Sequence, residues 1–409
     1  MQNINFTCPF CSLLCDDIQL KAKNNTFKPL NSNCPILKDS LNKRIFDQFP
    51  KINGMKTTIT IAIEETFKLI KKSKSILFTG MGTDIKGTKL ALEILDKVGG
   101  TIDHFSSDSF IKNLKSYKEI GGVYLTLSEL KNRCDTIIIV ETSDKTVPRI
   151  FEKYIFPKET INKIKKRKVI YIGSNKPKFL LKNKNKYNFD FISVNNQNLL
   201  SLISNLRQNI NNEFNENAGD KNLIFLQEIL KKTNYGSIIW SSSDLDQDLG
   251  SLIINEINLL IQDLNKFTRF AGLPLSDINH LNTVNEVLTW QTGFPIRTNF
   301  AKKHPVHNVD QFSTRRLLEK KEVDLVLWID SFHENKIIFN KQIKSILLGT
   351  PTHSQKNEAN IFIPIGTPGV DHSSHLVRVD KVVSMHLKKI RNLTLPSVFD
   401  ILNQVKEKF

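Results

Sequence analysis

Four cysteines near the start of the chain have the type and spacing of metal ligands. Cys8, Cys11 and Cys15 follow the pattern C-x2-C-x3-C, and Cys34 comes after eighteen more residues. Four thiolates in this arrangement suit a tetrahedral zinc ion or a [4Fe–4S] cluster. Zinc sites usually use two C-x2-C pairs, so three clustered cysteines and a distant fourth favour the cluster. Buried thiols without a metal are the alternative, and Cys134, just before a predicted strand, is expected to be such a residue.

Two histidine pairs are weaker candidates for a metal site. His304/His307 and His372/His375 have H-x-x-H spacing, and Asp371 could join the second pair as a ligand. No third or fourth ligand stands nearby at the usual spacing. Histidines at the surface or in hydrogen bonds are therefore the preferred interpretation.

The stretch FTGMGTDIKG resembles a phosphate-binding turn only in part. Gly80 and Gly82 stand between a predicted strand and a predicted helix, where backbone N–H groups can hold a phosphate. Ile85 replaces the third glycine of G-x-G-x-x-G, and no acidic residue stands plainly at the end of the following strand, where it would hold a ribose. A tight turn is favoured over a dinucleotide site. The G-x-S-x-G, H-E-x-x-H and P-loop motifs are absent from the sequence.

The bulk composition excludes several classes of protein. The chain has 409 residues, of which 40% are hydrophobic, and a net charge of +17. No apolar run is long enough for a membrane span, and no secretory signal is visible, so a cytoplasmic protein with reduced thiols is expected. The lysines are dispersed and no nucleic-acid-binding motif accompanies them, so nucleic-acid binding is not expected. An acidic substrate or partner stays open.

The elements that must position these residues follow an α/β pattern. Residues 1–55 read as irregular and too poor in apolar runs to fold without a metal or a neighbour. Residues 207–222 read as a surface loop near a domain boundary. Short apolar strands are predicted at 75–80, 136–142, 168–173, 189–194, 236–244, 324–330, 345–350 and 359–365. Helices separate most of them, including one from Leu249 to Leu264, which predicts parallel sheets with α/β crossovers.

Five stretches resemble one known family. They are CPFCSLLCDD, LSELKNRCDTIIIVETSD, NTVNEVLTWQTGFP, EVDLVLWIDS and IFIPIGTPGVDH, which run from residue 8 to residue 372. With them the chain resembles molybdopterin oxidoreductases and, within that superfamily, the B-type subunit of formylmethanofuran dehydrogenase. LTWQTGFP and TPGVDH are the specific stretches, because the cysteine spacing alone indicates only the superfamily.

The resemblance implies a domain plan and a chemistry. A small four-cysteine domain (1–55) precedes two interleaved Rossmann-like α/β domains with parallel sheets. One of these is discontinuous (56–108 and 235–409), and the other is contiguous (109–234). The metal-carrying members of the family bind a tungsten or molybdenum bis-pterin cofactor and interconvert CO2 and formate.

The sequence departs from the redox members at the residues that hold their metal. Those members have a Cys-His pair, of which the Cys binds the metal, where this chain has Ser109 and Phe110 at or near the matching positions. A serine hydroxyl is a poor replacement for the soft thiolate that these metals favour. Ser276 and Asp277 stand where the family has an arginine. The chain is also expected to lack the last domain that closes over the pterin in larger members, since 409 residues leave no room for it.

These losses favour the related formyltransferase/hydrolase complex of aerobic methylotrophs. That complex works in tetrahydromethanopterin-linked oxidation of formaldehyde to formate, and its amidohydrolase-type and formyltransferase-type subunits do the chemistry. The resemblance then implies a structural B-type subunit that lacks molybdopterin and tungsten and binds those subunits and a C-type subunit. An acidic methanofuran-like carrier is a further candidate partner. The alternatives are an active tungsten or molybdenum dehydrogenase subunit, an electron-transfer or sensor protein that uses the four cysteines, and a zinc-stabilised binding module.

Overall fold

The computed structural model describes most of the chain, in two compact units. The first unit comprises residues 1–107 and 277–409, and the second comprises residues 108–276. The description leaves out residues 1, 42, 44, 46–47, 144–146, 163, 165–166, 183–186, 213–219, 276–278, 303, 338 and 341. Within the described residues, no helix is both long and apolar enough to cross a membrane.

The first part of the first unit contains a small antiparallel sheet and the beginning of a larger one. Its elements are β1 (Gln2–Phe6), β2 (Ile18–Lys23), β3 (Thr26–Pro29), α1 (Pro35–Leu41), β4 (Lys51–Ile52), β5 (Met55–Lys56), α2 (Ile59–Lys72), β6 (Ile76–Gly82), α3 (Ile85–Val98) and β7 (Thr101–Ile102). The small sheet has the order β1-β2-β3. The expectation that residues 1–55 are irregular was therefore wrong. Alternating buried and exposed residues along β2 form a half-buried strand too short to stand out in the sequence.

The second unit is built on a sheet whose strands are all parallel. Its elements are α4 (Ser107–Ile120, which begins at the last residue of the first unit), α5 (Leu127–Asn132), β8 (Thr136–Val140), a π-helical turn (Phe151–Ile155), β9 (Lys168–Gly173), α6 (Lys178–Lys182), β10 (Asp190–Ser193), α7 (Asn196–Asn211), α8 (Lys221–Lys231), β11 (Tyr235–Trp240), α9 (Gly250–Leu264) and β12 (Arg269–Pro274). The order of this sheet is β10-β9-β8-β11-β12. A continuous apolar core joins its strands to α7, α8 and α9.

The rest of the first unit completes its large sheet. The elements are α10 (Leu281–Thr292), β13 (Thr298–Asn299), β14 (Val306–His307), α11 (Thr314–Glu319), β15 (Leu325–Asp330), β16 (Lys344–Gly349), β17 (Ile361–Pro364), β18 (Ser374–Val377), β19 (Ser384–Leu387) and α12 (Val398–Lys406). The large sheet has the order β14-β13-β7-β6-β15-β16-β17-β4-β5. Its five central strands, from β7 to β17, run parallel, and the short strands at both edges are antiparallel.

The predicted fold class is confirmed, because parallel α/β sheets follow the predicted four-cysteine segment. The burial of every residue of β6 and of β15 explains why continuous apolar runs predicted these strands. Asp84 accepts a hydrogen bond from the backbone of Gly87 at the start of α3, and Gly99 ends that helix at a φ of 79°.

The strands that follow residue 235 do not keep to the predicted domain boundary. β11 pairs with β8, and β12 pairs with β11, in the second unit, whereas the domain plan assigned residues 235–409 to the other domain. The separation of residues 1–55 as a domain of their own stays a prediction. The predicted loop at 207–222 is helical at both ends, in α7 and α8, and residues 213–219 lie outside the described residues.

The two glycines of FTGMG form a bulge inside β6. Gly80 has a φ of 73° and Met81 a φ of 52°, and the pairing of β6 with β15 shifts register here. A Cβ atom on Gly80 would lie 2.5 Å from Nε1 of Trp328 on β15. Glycine is therefore required at residue 80 for a positive φ and for close approach of the neighbouring strand. The tight turn predicted between the strand and the helix is instead a bulge within the strand.

Candidate functional site

The first unit gathers polar side chains at one edge of its large sheet. The carboxyl ends of parallel strands meet at the same edge, and the residues that follow β6, β7, β15, β16 and β17 lie there. We call this set the carboxyl-end cluster: Thr83, Asp84, Asp103, His104, Asp330, Ser331, His353, Thr367, Asp371 and His372. Most of these side chains are buried, which is unusual for charged groups without a structural or functional reason.

The second set of candidate residues is the cysteine loop, which comprises residues 8–15, together with Cys34 beside it. The loop closes on itself, since the backbone N–H of Cys8 donates to the carbonyl of Cys15 over 2.9 Å. The N–H of Leu14 donates to the carbonyl of Cys11 over 3.1 Å, and Leu14 has a φ of 46°. Cys8, Cys15 and Cys34 are buried and Cys11 is half-buried.

The structure brings the four predicted ligands into one neighbourhood. Burial raises the pKa of the Cys8 thiol well above its ordinary value, and the nearby thiols of Cys11, Cys15 and Cys34 raise it further. Each therefore lies close enough to act on Cys8 electrostatically. In the described part of the chain, no three His, Cys, Asp or Glu side chains are already arranged to hold a metal ion. The assignment of these cysteines as metal ligands stays a prediction.

The cysteine loop is held against the first unit by two histidines. Nε2 of His280 lies 2.6 Å from the carbonyl oxygen of Pro9, and Nε2 of His333 lies 2.6 Å from that of Phe10. A carbonyl can only accept, so both Nε2 atoms carry the proton. The N–H of Val379 also donates to the carbonyl of Ser12. A neighbour thus holds this segment, as the sequence required.

Burial changes the pKa of two neighbouring groups in the carboxyl-end cluster, His104 and Asp103. His104 donates from Nε2 to the carbonyl of Asn279, and its Nδ1 accepts from the N–H of Ser106. Burial lowers the pKa of His104 to about 4, so the ring is neutral at pH 7. Burial raises the pKa of Asp103, although Arg297, 3.6 Å away, and the backbone N–H of Thr314 favour its ionised form.

Two further pairs of side chains in this cluster have only some of the hydrogen bonds that their polar atoms can make. His353 and Asp330 are fully buried with 3.6 Å between Nε2 and Oδ2, while the other carboxylate oxygen of Asp330 has no hydrogen-bond partner among the described residues. Asp84 accepts from the Ser374 hydroxyl at 2.8 Å and lies 3.9 Å from His372. Buried polar atoms without partners cost free energy, so this edge is a candidate binding surface.

The structure also describes the two residues predicted to stand at or near the positions of the Cys-His pair of the redox members. Ser109 and Phe110 are buried on α4, where Nδ2 of Asn113 donates to the Ser109 carbonyl. Burial lowers the pKa of Lys112 on the same helix, and its ammonium donates to the carbonyl oxygens of Ser242 and Leu245. Ser276 and Asp277, which are predicted to stand where the redox members have an arginine, lie outside the described residues.

The other predicted candidate residues make hydrogen bonds and packing contacts that explain them as structural residues. His307 binds the Arg297 carbonyl through Nδ1, and His375 packs on His386 with ring centroids 4.8 Å apart. Asp371 accepts from the Thr367 N–H and lies 3.4 Å from Arg391. Cys134 is fully buried, as predicted, and burial raises the pKa of its thiol to about 12.

Sequence reasoning missed the carboxyl-end cluster and the two histidines on the cysteine loop. A signal for the cluster was present, since Asp103-His104 and Asp330-Ser331 directly follow or end apolar strands. No local pattern could have paired His280 with Pro9, because 271 residues separate them.

Comparisons with known proteins found relatives over most of the chain. The B-type subunit of the tungsten-containing formylmethanofuran dehydrogenase 2 of Methanocaldococcus jannaschii is 25% identical over 94% of this chain and 93% of its own length. The protein of the same name from Methanococcus maripaludis is 23% identical with the same coverage. The B-type subunit of the formyltransferase/hydrolase complex Fhc of Methylorubrum extorquens is 22% identical over 78% of this chain and 85% of its own. No family model matches.

A solved structure shares the fold. A chain in the crystal structure of the formyltransferase/hydrolase complex FhcABCD from Methylorubrum extorquens, in complex with methylofuran, matches with a TM-score of 0.76 at 19% identity. The match covers 88% of this chain and 98% of that one. The resemblance to the B-type subunits of these two enzyme complexes, first visible in the sequence, is thus confirmed.

Proposed function

We propose that this chain, a relative of the B-type subunits of formylmethanofuran dehydrogenase and of the Fhc complex, is the B-type subunit of a formyltransferase/hydrolase-type complex and performs no redox step itself. Its role is to bind and arrange sister subunits of amidohydrolase type, formyltransferase type and C type in one-carbon oxidation to formate. The proposal includes a cytoplasmic location, where thiols such as these stay reduced.

The observation that carries this proposal is the pair Ser109 and Phe110. A tungsten or molybdenum bis-pterin needs a soft ligand from the protein, and the positions matching the Cys-His pair offer a hydroxyl and a phenyl ring. Both side chains are buried within a regular helix, α4. The residues present at this position do not fit the bis-pterin cofactor of the redox members.

The four cysteines fit a thiolate-bound metal by their chemistry. Cys8, Cys11, Cys15 and Cys34 would hold it, and a [4Fe–4S] cluster bound there would supply either an electron-transfer centre or a structural pin. Because burial raises the pKa of the Cys8 thiol, a bound cation would provide the positive charge that lets it deprotonate.

Co-purification tests the main proposal. The tagged chain, isolated from its own cells, should bring down an amidohydrolase and a formyltransferase that mass spectrometry can identify. The complex should contain no stoichiometric tungsten or molybdenum and no extractable pterin. Isolation with electron-transfer partners and a tungsten content near one per chain would overturn the proposal.

A second function keeps one observation in its favour. The two dehydrogenase relatives have higher identity and coverage than the Fhc relative, so an active tungsten enzyme is the competing assignment. A Ser109→Cys variant sharpens the choice. If the proposal holds, neither the wild type nor the Ser109→Cys variant oxidises formate when an artificial electron acceptor is supplied. Such activity in the wild type would establish the second function.

Metal removal tests the cysteine site separately. Protein purified without oxygen should contain iron and sulfide and show broad visible absorbance that bleaches on reduction. Zinc in a colourless protein would indicate a single-ion site instead. If the metal acts as a pin, treatment with a chelator should lower the melting temperature, whereas the same treatment of a Cys11→Ser, Cys15→Ser double variant should have no effect.

The net positive charge of the chain allows a test of whether it binds an acidic carrier. A carrier with a polyglutamyl tail should bind more weakly as salt is raised from about 50 to about 500 mM, since the +17 chain would attract it by long-range electrostatics. Binding that does not change over this range would exclude a role for the net charge.

A further inference from the structure

Only two residues, Pro9 and Phe10, lie between Cys8 and Cys11, and each offers its carbonyl oxygen to a different histidine. The two donors come from distant parts of the first unit. His280 is the N-cap residue directly before α10, and His333 follows β15. Their hydrogen bonds have the same length, 2.6 Å, which is short for an N–H···O bond.

We propose that His280 and His333 are positioning residues of the cysteine loop, which hold the peptide units between Cys8 and Cys11 in one arrangement whether or not a metal is bound. They act on the backbone and not on the thiols. The inference does not depend on the proposed function or on the identity of a metal.

His280 is itself fixed from several sides. Its side chain is 1% exposed, and its ring packs on Phe332 with centroids 4.4 Å apart. Its backbone is left-handed, with a φ of 59°, which is uncommon for a residue other than glycine and costs free energy. This conformation aims the ring from the start of α10, so the hydrogen bond to Pro9 has a rigid donor.

His333 provides a second, independent hold. It lies three residues after the end of β15, in a segment where Phe332 packs with Leu14 of the cysteine loop. Burial lowers the pKa of both histidines, that of His280 to about 3, so each ring is neutral at pH 7 and carries one proton. That proton lies on Nε2, where the carbonyl needs it.

Loss of either hydrogen bond should loosen the loop locally. A typical hydrogen bond contributes about 0.5–1.5 kcal/mol, which corresponds to a roughly 3- to 10-fold change in the population of a locally open state. Such opening would expose the buried thiols of Cys8 and Cys15. It would not expose Cys134, which lies fully buried in the other unit. The chain thus contains its own reference thiol for global unfolding.

The experiment measures alkylation of each cysteine by N-ethylmaleimide, with peptide mass spectrometry, in the full chain. The variants are His280→Phe and His333→Phe, which keep a ring but remove the donor. His280→Gln and His333→Gln place an N–H at a similar reach. His375→Phe is the matched control, since His375 is exposed and packs on His386. Each variant is tested as purified and again after chelator treatment.

The expected result is a roughly 3- to 10-fold faster alkylation of Cys8 and Cys15 in each Phe variant, with Cys134 unchanged, and partial recovery in the Gln variants. His375→Phe should behave as the wild type. Unchanged rates in His333→Phe would overturn the proposal. So would an equal rise at Cys134, because it would mean general destabilisation. His333→Phe keeps the test decisive if His280→Phe does not fold, since His333 has no strained backbone to preserve.

Discussion

The two units build similar parallel sheets but differ at the carboxyl ends of their strands. In the second unit, Glu141 follows β8 and accepts two hydrogen bonds from Ser174, at 2.6 Å from the N–H and 2.7 Å from the hydroxyl. In the first unit, buried polar atoms at the same edge lack partners within the described residues. They include atoms of Thr83, Asp330, Ser331 and His372, none of which has a hydrogen-bond partner among these residues.

The units also differ in their titratable residues. All nine histidines lie in the first unit, and residues 108–276 contain none. Four of the five cysteines are in the first unit as well. Two sheets of the same type therefore carry different groups at their carboxyl ends. In the second unit Glu141 has hydrogen-bond partners there, whereas the first unit keeps polar atoms without such partners buried at this edge, at a cost in stability. Such a cost is typical of a site that binds something.

The largest effect that would test this comparison is acid sensitivity. The pKa values of His104 and His280 are lowered by burial to about 4 and about 3, while unfolded histidine titrates near 6.5. Between these values the unfolded chain binds protons that the folded chain does not. Stability is therefore complete above about pH 6.5 and is lost as the pH falls. At pH 5 each histidine should cost about 2 kcal/mol.

Hydrogen exchange followed by mass spectrometry, corrected for intrinsic rates, can locate this loss. Peptides of the first unit should lose protection between pH 7 and pH 5, while those of the second unit should keep theirs. Equal loss in both units would contradict the assignment of acid sensitivity to the buried histidines.

A smaller loss of stability should follow when a hydroxyl that makes a hydrogen bond is removed from the second unit. Ser116 is fully buried and accepts a hydrogen bond at 2.8 Å from Nδ2 of Asn258. Ser116→Ala leaves that buried amide without its partner, which should lower the free energy of unfolding by about 1–3 kcal/mol. Urea denaturation measures the change.

The smallest effect is expected for the matching substitution in the first unit. Ser331 is equally buried, but its hydroxyl has no hydrogen-bond partner in the described residues. Ser331→Ala should therefore leave stability within about 0.5 kcal/mol of the wild type or raise it. A loss as large as that of Ser116→Ala would show that the Ser331 hydroxyl has a hydrogen-bond partner, and it would weaken the contrast between the two units.

The central strands of both sheets could be predicted because burial on both faces leaves a plain apolar run. The prediction for 168–173 matches β9 residue by residue, and the predicted helix at 249–264 differs from α9 by one residue. The two-residue strands and the small sheet could not be found this way. Their pairing depends on partners far along the chain, as between β4 and β17, and not on a local pattern.

The site was predictable only in its local part. The spacing of Cys8, Cys11 and Cys15 is a local pattern, and the structure places these residues together with Cys34. The contacts of His280 and His333 with the loop arise from tertiary folding. So does the meeting of Asp330 with His353, since the sequence does not show which loops share a sheet edge until the strand order is known.

The short antiparallel strands at the two edges of the large sheet limit how this protein can associate. The outermost strands in the described residues, β5 and β14, have two residues each, and Lys51 pairs with Lys56 across the β4–β5 hairpin. Such short edges offer too few free backbone groups for a strand of another chain to extend this sheet. Edge pairing at the large sheet is therefore discouraged, and a partner protein that binds beside it has to recognise helices and loops.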